Sequence, residues 1–314
     1  MFRNGEYLCT CVKHVSWGGN FMLTAVIDFA CRVSPGTKRF LLKMWFHYLA
    51  RLDKEAHMIF MNYGYVDLNP GAKKIALCTE DEKDRYCIQL YHAVVGLIDF
   101  TDLHVLEVGC GRGGGASYMM RYLQPRSLVA LDRCTTAVQF CRTHYAVKDL
   151  SFSQGDALAL PFIDNIFDVV VNVESSHCYR SMERFLSEVV RVLRPDGYLL
   201  FADFRDKGKI DALRRQLHTC GLALLREEHI NSNVVKALEL DNERKMNLID
   251  QKIPKQLRKL FHLFAGVQGT NMYEAFCNGD VQYYCFILRK RVASIEADLD
   301  IERLAIRTRA EIDT

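Results

Sequence analysis

The chain has 314 residues, enough for one large α/β domain with additions. Its 49% hydrophobic and 25% charged content are those of a soluble globular protein, and a net charge of +3 leaves no electrostatic footprint for nucleic acid. The 12 cysteines include no C-x-x-C pair, Cys9 and Cys11 being closest, so no zinc spacing emerges and reduced thiols in a cytoplasmic protein are expected.

Residues 1–16 show no strong period. Phe21–Cys31 is apolar but carries Asp28, is too short to span a bilayer and lacks a signal-peptide layout. A lid helix, a core helix and a surface-seeking segment all fit it. Residues 38–60 read as an amphipathic, aromatic-rich helix, followed by the turn-rich NYGYVDLNPG; residues 81–99 read as another helix leading into the first strand.

The most informative stretch is His104–Met120, HVLEVGCGRGGGASYMM. A short apolar strand runs into a glycine-rich turn and then a helix. Glycine lets the backbone turn tightly and approach a ligand, and the helix start offers unpaired N–H groups. This is a nucleotide-type pocket at the carboxyl end of a strand. Gly109, Gly111 and Gly114 also satisfy the dinucleotide pattern. Glu107 favours S-adenosylmethionine instead: a carboxylate there suits an ammonium group and repels a diphosphate.

Further strands are expected at Leu128–Leu131, Leu150–Phe152, Phe167–Asn172, Gly197–Phe201, Leu222–Leu225 and Val281–Leu288. The alternation with helices from His104 to about Asp203 implies a parallel sheet. Asp132, ending the second strand, can accept from ribose hydroxyls. Asp156, in QGDALALPF after the third, can accept from an adenine amino group, with Ala157 and Leu158 near the ring. Pro195 and Gly197 in RVLRPDG terminate a helix just before the fifth strand.

Glu-x-Gly-x-Gly-x-Gly, Asp132, GDALALPF and VLRPDGYLLF, in this order and spacing, resemble class I S-adenosylmethionine-dependent methyltransferases. A closer resemblance runs from about Ile59 to Arg289, through IFMNYGY, CIQLYH, LEVGCGRGGGASYM, VVVNVESSHCYRSMERFLSEVVRVLRPDGY and GVQGT. It is to the mycobacterial-type phthiotriolone and phenolphthiodiolone dimycocerosates ketone methyltransferases, which O-methylate a long lipid polyketide. The first stretch of about 45 residues and the tail lie outside it.

The resemblance implies a Rossmann-like, seven-stranded, mostly parallel sheet with helices on both faces and an antiparallel last strand. The expected division is a helical extension and lid over 1–100, a cofactor-binding core over 101–230, a substrate cap over 231–280, the last strand over 281–291 and a charged helical tail over 292–314. The tail could serve as a contact in a homo-oligomer. The cap carries an apolar helical stripe: Ile253, Leu257, Leu260, Phe261 and Phe264. Lys252, Lys255, Arg258 and Lys259 beside it read first as a solvated face, second as a contact with a membrane or lipid carrier.

The expected cofactor set is Tyr63, Tyr65, Glu107, Gly109, Cys110, Gly111, Gly113, Asp132, Arg133, Gly155, Asp156, Ala157 and Asn172. Tyr63 and Tyr65 either face the sulfonium or pack a connecting loop. Tyr86, Gln89 and His92 could reach cofactor or substrate. Methyl transfer to a hydroxyl needs in-line placement and removal of a proton. His177, in NVESSHCY after the fourth strand, is the candidate base, because histidine titrates near neutrality; pocket shaping is the alternative. Glu174 could orient it or bind the cofactor side, and Asp203 could brace it, bind substrate or cap a helix. No metal is indicated.

The function expected is O-methylation of a hydroxyl on a hydrophobic polyketide or lipid-like metabolite. Carbon or nitrogen methylation, a non-transferring cofactor-binding protein and a dehydrogenase are the competing readings.

Overall fold

The computed structural model describes residues 56–291. The expectations for 1–55 and for the tail after Arg291 lie outside the described residues. In chain order the elements are α1 (Arg85–Val95), β1 (His104–Val108), α2 (Gly114–Tyr118), β2 (Ser127–Asp132), α3 (Thr135–His144), β3 (Leu150–Gln154) and β4 (Phe167–Val173). Then follow α4 (Met182–Val192), β5 (Leu193–Asp206), α5 (Ile210–Thr219), β6 (Leu222–His229), α6 (Asn231–Leu240), α7 (Asn242–Lys252), α8 (Lys255–Phe264), α9 (Asn271–Cys277) and β7 (Val281–Lys290).

The strands form one seven-stranded sheet in the order β3-β2-β1-β4-β5-β7-β6. Neighbours from β3 through β5 pair in parallel, and β7 runs antiparallel to both β5 and β6. Alternate side chains leave opposite faces of a strand. Val105, Val169, Val171, Leu200 and Ala202 therefore face one apolar layer, with α1, α2, α6 and α9. Leu106, Val108, Val170, Leu199 and Phe201 face the other, with α4 and α5.

Helix α4 shows why such elements form. The Ser181 side chain accepts from the Arg184 N–H as N-cap, and Met182, Phe185, Leu186, Val189 and Val192 repeat along one buried stripe. Each such side chain contributes about 1.5–3 kcal/mol on burial, so Phe185→Ala would open a hole under the sheet.

Several boundaries differ from expectation. The 81–99 helix starts as a 3-10 turn over Thr79–Asp84 and stops at Val95, where Gly96 caps it. Residues 56–60 of the expected 38–60 helix are not helical. Strand β5 begins at Leu193 and runs to Asp206, so Asp203 lies inside the strand, not just after it. Its pairing with β7 from Tyr198 to Asp206 explains the extra length. The insertion between β6 and β7 is helical, as expected of a long connection. Its stripe is shorter than expected: Pro254 separates Ile253 from α8, and Ile253, Phe261, Ile249 and Val267 form a small core of their own. Arg258 closes the turn before α8 by donating to the carbonyls of Ile253 and Asp250. Lys255 and Lys259 are exposed. No helix among the described residues is long and apolar enough to cross a membrane.

Candidate active site

The crevice lies outside the carboxyl ends of β1, β2, β4 and β5, where an open parallel sheet binds its ligands. On the β1 side, Gly109, Gly111 and Gly113 all have positive φ: 82°, 54° and 79°. At Gly109 the absence of a side chain is required twice, because a Cβ would sit 1.9 Å from Ser175 Oγ. A Cβ on Gly111 would lie 2.7 Å from Met61 Cε, so the chain before α1 covers this loop. Asp132 braces the loop from β2: its carboxylate accepts from Gly111 N at 2.9 Å and Cys134 N at 2.7 Å. Burial raises its pKa.

Glu107 shares the inward parity of Val105 on β1. It is 1% exposed, and its Oε1 accepts from Tyr91 Oη at 2.7 Å. Its Oε2 is buried without a hydrogen-bond partner, as is Asn172 Oδ1 on neighbouring β4. Buried polar atoms are seldom left so. Burial, with the nearby Asp132 charge, pushes Glu107 up to about 7, partly offset by the Tyr91 hydroxyl and the Ala116 N–H. A bound ammonium would supply both the missing donor and the missing positive charge. The residues present thus fit S-adenosylmethionine: a buried carboxylate with one unpaired oxygen for the methionine end, side-chain-free backbone beside it, and Asp132 with spare lone pairs for the ribose.

The other predicted cofactor residues fall along the same edge. Cys110 is buried and Arg133 exposed. Gly155 donates to the Asp132 carbonyl, and a Cβ there would meet Leu131 Cδ1 at 2.6 Å. Asp156 is half-buried and accepts from Leu158 N at 3.0 Å, while Ala157 is buried in the layer of α4.

The other side of the crevice is built at the carboxyl-end portions of β4 and β5. Asp203 is fully buried. Its Oδ1 accepts from His177 Nδ1 at 2.8 Å and Phe204 N at 2.9 Å; its Oδ2 accepts from Ser176 Oγ at 2.6 Å and His177 N at 2.9 Å. Arg205 lies 3.1 Å from Oδ2. Burial alone would raise this carboxyl, but Arg205, His177 and Ser176 hold it far below the usual range. Asp203 therefore stays ionised and fixes the imidazole. His177, whose side chain is 25% exposed, has burial working against its charge. Cys178 and Asp203 outweigh that and raise it well above its ordinary value. A helix cap for Asp203 is not what the geometry shows.

Glu174 adopts the left-handed region, φ 45°, at the end of β4. It is not bonded to His177. Its Oε1 accepts from Tyr63 N at 2.8 Å and Tyr283 Oη at 3.0 Å. Burial raises it to about 8, with Asp203 adding to the effect.

The two tyrosines of MNYGY part company. Tyr63 packs edge-on against Phe204 and Phe276, beside the His177 ring, whose centroid is 4.5 Å from Phe204. Tyr65 is buried toward Glu228 and Cys285 on the last strands, and burial lifts it to about 12. On α1, His92 bonds Tyr118 Oη at 2.8 Å and so turns from Glu107; Tyr91 is the residue that reaches it. Tyr91, Ser175, Ser176, Tyr179, Arg205 and Tyr283 are the site residues that sequence reasoning missed. Tyr91 carries a sequence signal, since it sits on the buried stripe of the helix that also bears Tyr86, Gln89 and His92. Among the described residues no cluster could hold a metal ion.

Residues 106–201 match the family model described as a methyltransferase domain. The chain is 38% identical over 255 residues to the phthiotriol/phenolphthiotriol dimycocerosates methyltransferase of Mycobacterium tuberculosis, covering 81% of this chain and 94% of that protein. It is 37% identical over 271 residues to the fatty-acid O-methyltransferase of Mycolicibacterium smegmatis, covering 86% and 97%. A solved cyclopropane synthase of Mycobacterium tuberculosis shares the fold, with TM-score 0.55, 14% identity and coverage of 75% and 95%. The orphaned Glu107 oxygen, the glycine cradle and these similarities agree: this chain is a class I S-adenosylmethionine-dependent methyltransferase and belongs to the family of the phthiotriol/phenolphthiotriol dimycocerosates methyltransferases.

Proposed function

We propose that the protein methylates an oxygen atom of a hydrophobic, lipid-like acceptor held at the His177 end of the crevice. The observation that carries this is the His177–Asp203 pair at 2.8 Å, in the turn after β4 whose Ser175 packs against Gly109 of the glycine loop. The likeness to a fatty-acid O-methyltransferase supports an oxygen acceptor on a long aliphatic molecule, and the likeness to the dimycocerosates methyltransferase agrees with a lipid-like one. Bound S-adenosylmethionine supplies a methyl group on a sulfonium that departs as a neutral thioether. Asp203 holds His177 by Nδ1, which leaves Nε2 to take the proton of an acceptor hydroxyl as its oxygen bonds to the methyl carbon. Phe204, Tyr63 and Phe276 give the site an apolar wall that suits an aliphatic chain.

The buried Asp203 carboxylate on His177 Nδ1, which favours the imidazolium, and the likeness to a fatty-acid O-methyltransferase support a second reading, a carboxylate acceptor. An imidazolium would pair with a carboxylate, which needs no base. The two readings give opposite pH limbs. With a hydroxyl acceptor, kcat/KM rises with pH through an ionisation above 6.5, because only neutral His177 accepts a proton. With a carboxylate acceptor it falls through the same ionisation. Initial rates on a fatty alcohol and a fatty acid, with native protein and His177→Ala, decide between them. Turnover of both by His177→Ala at the native rate would end the proposal that this histidine serves the transfer.

A further inference from the structure

The segment Asn62–Val66 crosses the mouth of the site as a buried strap. One side is tied to α1: Asn62 Nδ2 donates to Cys87 O at 3.3 Å and Tyr65 N donates to Tyr86 O at 2.9 Å. The other is tied to the cap: Val66 N donates to Asn233 O at 3.2 Å, and Asn233 Nδ2 returns a bond to Val66 O at 2.8 Å. Gly64 is wedged between them, where a Cβ would stand 3.1 Å from Tyr86 Cβ and 3.2 Å from Ala237 Cβ. The strap also enters the site, since the Tyr63 N–H bonds Glu174.

Lys245, on α7, is 8% exposed. A buried ammonium is costly unless its donors are engaged. Its Nζ reaches Tyr63 O at 3.5 Å, Ala265 O at 3.4 Å and Asp241 Oδ2 at 3.9 Å. Asp241 is locked by two 2.6 Å bonds from Arg244, which also lies 3.5 Å from Asp84 before α1. The backbone of Tyr63 is thus held on both sides of its Cα, the N–H of the 62–63 peptide by Glu174 and the carbonyl of the 63–64 peptide by Lys245.

We infer that Lys245 is a positioning residue: by holding the Tyr63 carbonyl it keeps the Tyr63 N–H on Glu174, so that cap and strap close over the acceptor as one unit. Its relevance to turnover rests on the reading of the His177 end as the acceptor site; its effect on the strap does not. The network of Asp84, Asp241, Arg244 and Lys245 then has a function beyond packing.

The test compares native protein with Lys245→Arg, Lys245→Gln and Lys245→Met. Hydrogen exchange over residues 59–66 is read in each, with S-adenosylhomocysteine bound, against exchange in β4. The expected result is strap exchange about tenfold or more faster in Lys245→Met, less in Lys245→Gln, and near native in Lys245→Arg, with β4 unchanged. Should Lys245→Met fail to fold, Lys245→Gln carries the comparison. Equal acceleration of strap and β4, or none in the strap, would overturn the inference. The second arm measures methyl transfer to a hydroxylated long-chain fatty acid. The expected loss is about tenfold in kcat, with affinity for S-adenosylhomocysteine within about threefold, because neither Glu107 nor Asp132 contacts Lys245. If native protein does not methylate that probe, the acceptor reading fails while the exchange result still decides the role of Lys245.

Discussion

The two halves of the crevice are made in different ways. On the cofactor side, Glu107, Gly109, Gly111 and Gly113 lie within one strand and its turn, and Asp132 ends the next strand over. On the proposed acceptor side, His177 is fixed by Asp203, 26 positions on, and Glu174 by Tyr63 and Tyr283, 111 and 109 positions away. A motif read along the chain captures the first half. The second exists only once the sheet, the strap and the cap are assembled. Damage to the first half should therefore show in cofactor binding, and damage to the second in turnover.

The largest effect separates the halves at their contact. Gly109→Ala places a Cβ into Ser175 at a φ of 82°, so the loop or the β4 turn must move. Loss of S-adenosylhomocysteine affinity by about a hundredfold or more is expected in calorimetry, with transfer lost in proportion. Near-native affinity would mean the cofactor does not approach this backbone.

On the acceptor side, Asp203→Asn removes the charge that holds His177 and leaves Arg205 unpaired. A fall in kcat of about 10²–10⁴ is expected, with cofactor affinity retained. The ionisation of His177 should also move downward, so any rising pH limb should shift to lower pH. An unshifted limb would assign that ionisation to another group.

The fold was legible because its evidence is local. Alternation of apolar strands with helices and the glycine turn each occupy a few neighbouring positions, whereas Leu-Arg-Pro-Asp-Gly, read as the helix stop, lies inside β5 because α4 already ends at Val192. The direction of the pairing at β7 came through the family resemblance, not from periodicity. The site was legible in part. His177 and Asp203 stood out as titratable residues beside strand ends, whereas the partner of Glu174 could not be read, since backbone N–H groups such as that of Tyr63 leave no mark in a sequence. Arg205 and Ser176 have the opposite difficulty. Their residue types are common, and only burial against Asp203 makes them part of the site.

A middle-sized effect concerns Glu107. Its carboxyl, held near 7 by burial, must be ionised to receive an ammonium group. Affinity for S-adenosylhomocysteine should therefore rise with pH up to about 7 and then level off. Glu107→Gln should weaken binding about tenfold to a hundredfold and abolish that rise. The same groups bear on stability without ligand. The folded state keeps protons on Glu107 to about 7 and on Glu174 to about 8 that the unfolded chain releases near 4.5. The unfolded state thus binds fewer protons in this window, and Tm should fall as pH rises from about 4.5 to 8. A rising Tm over that range would place both carboxylates in contact with cations that the structure does not show.

The smallest effect tests whether Tyr91 belongs to the cofactor half or only to the core. Its ring fills the space that a side chain at Gly115 would need, a Cβ there lying 2.1 Å away, so Tyr91→Phe keeps that packing. What it removes is the hydroxyl on Glu107 Oε1. That hydroxyl favours the carboxylate, so without it the Glu107 pKa should climb further. Binding then requires the loss of a more tightly held proton. At neutral pH a loss in S-adenosylhomocysteine affinity of about twofold to tenfold is expected, the usual range for one hydrogen bond. The gap to native protein should narrow as pH rises, because at high pH both proteins present an ionised Glu107. A gap of constant size across the pH range would mean that Tyr91 acts by shape alone, and that the charge on Glu107 is set by burial and not by its neighbour on α1.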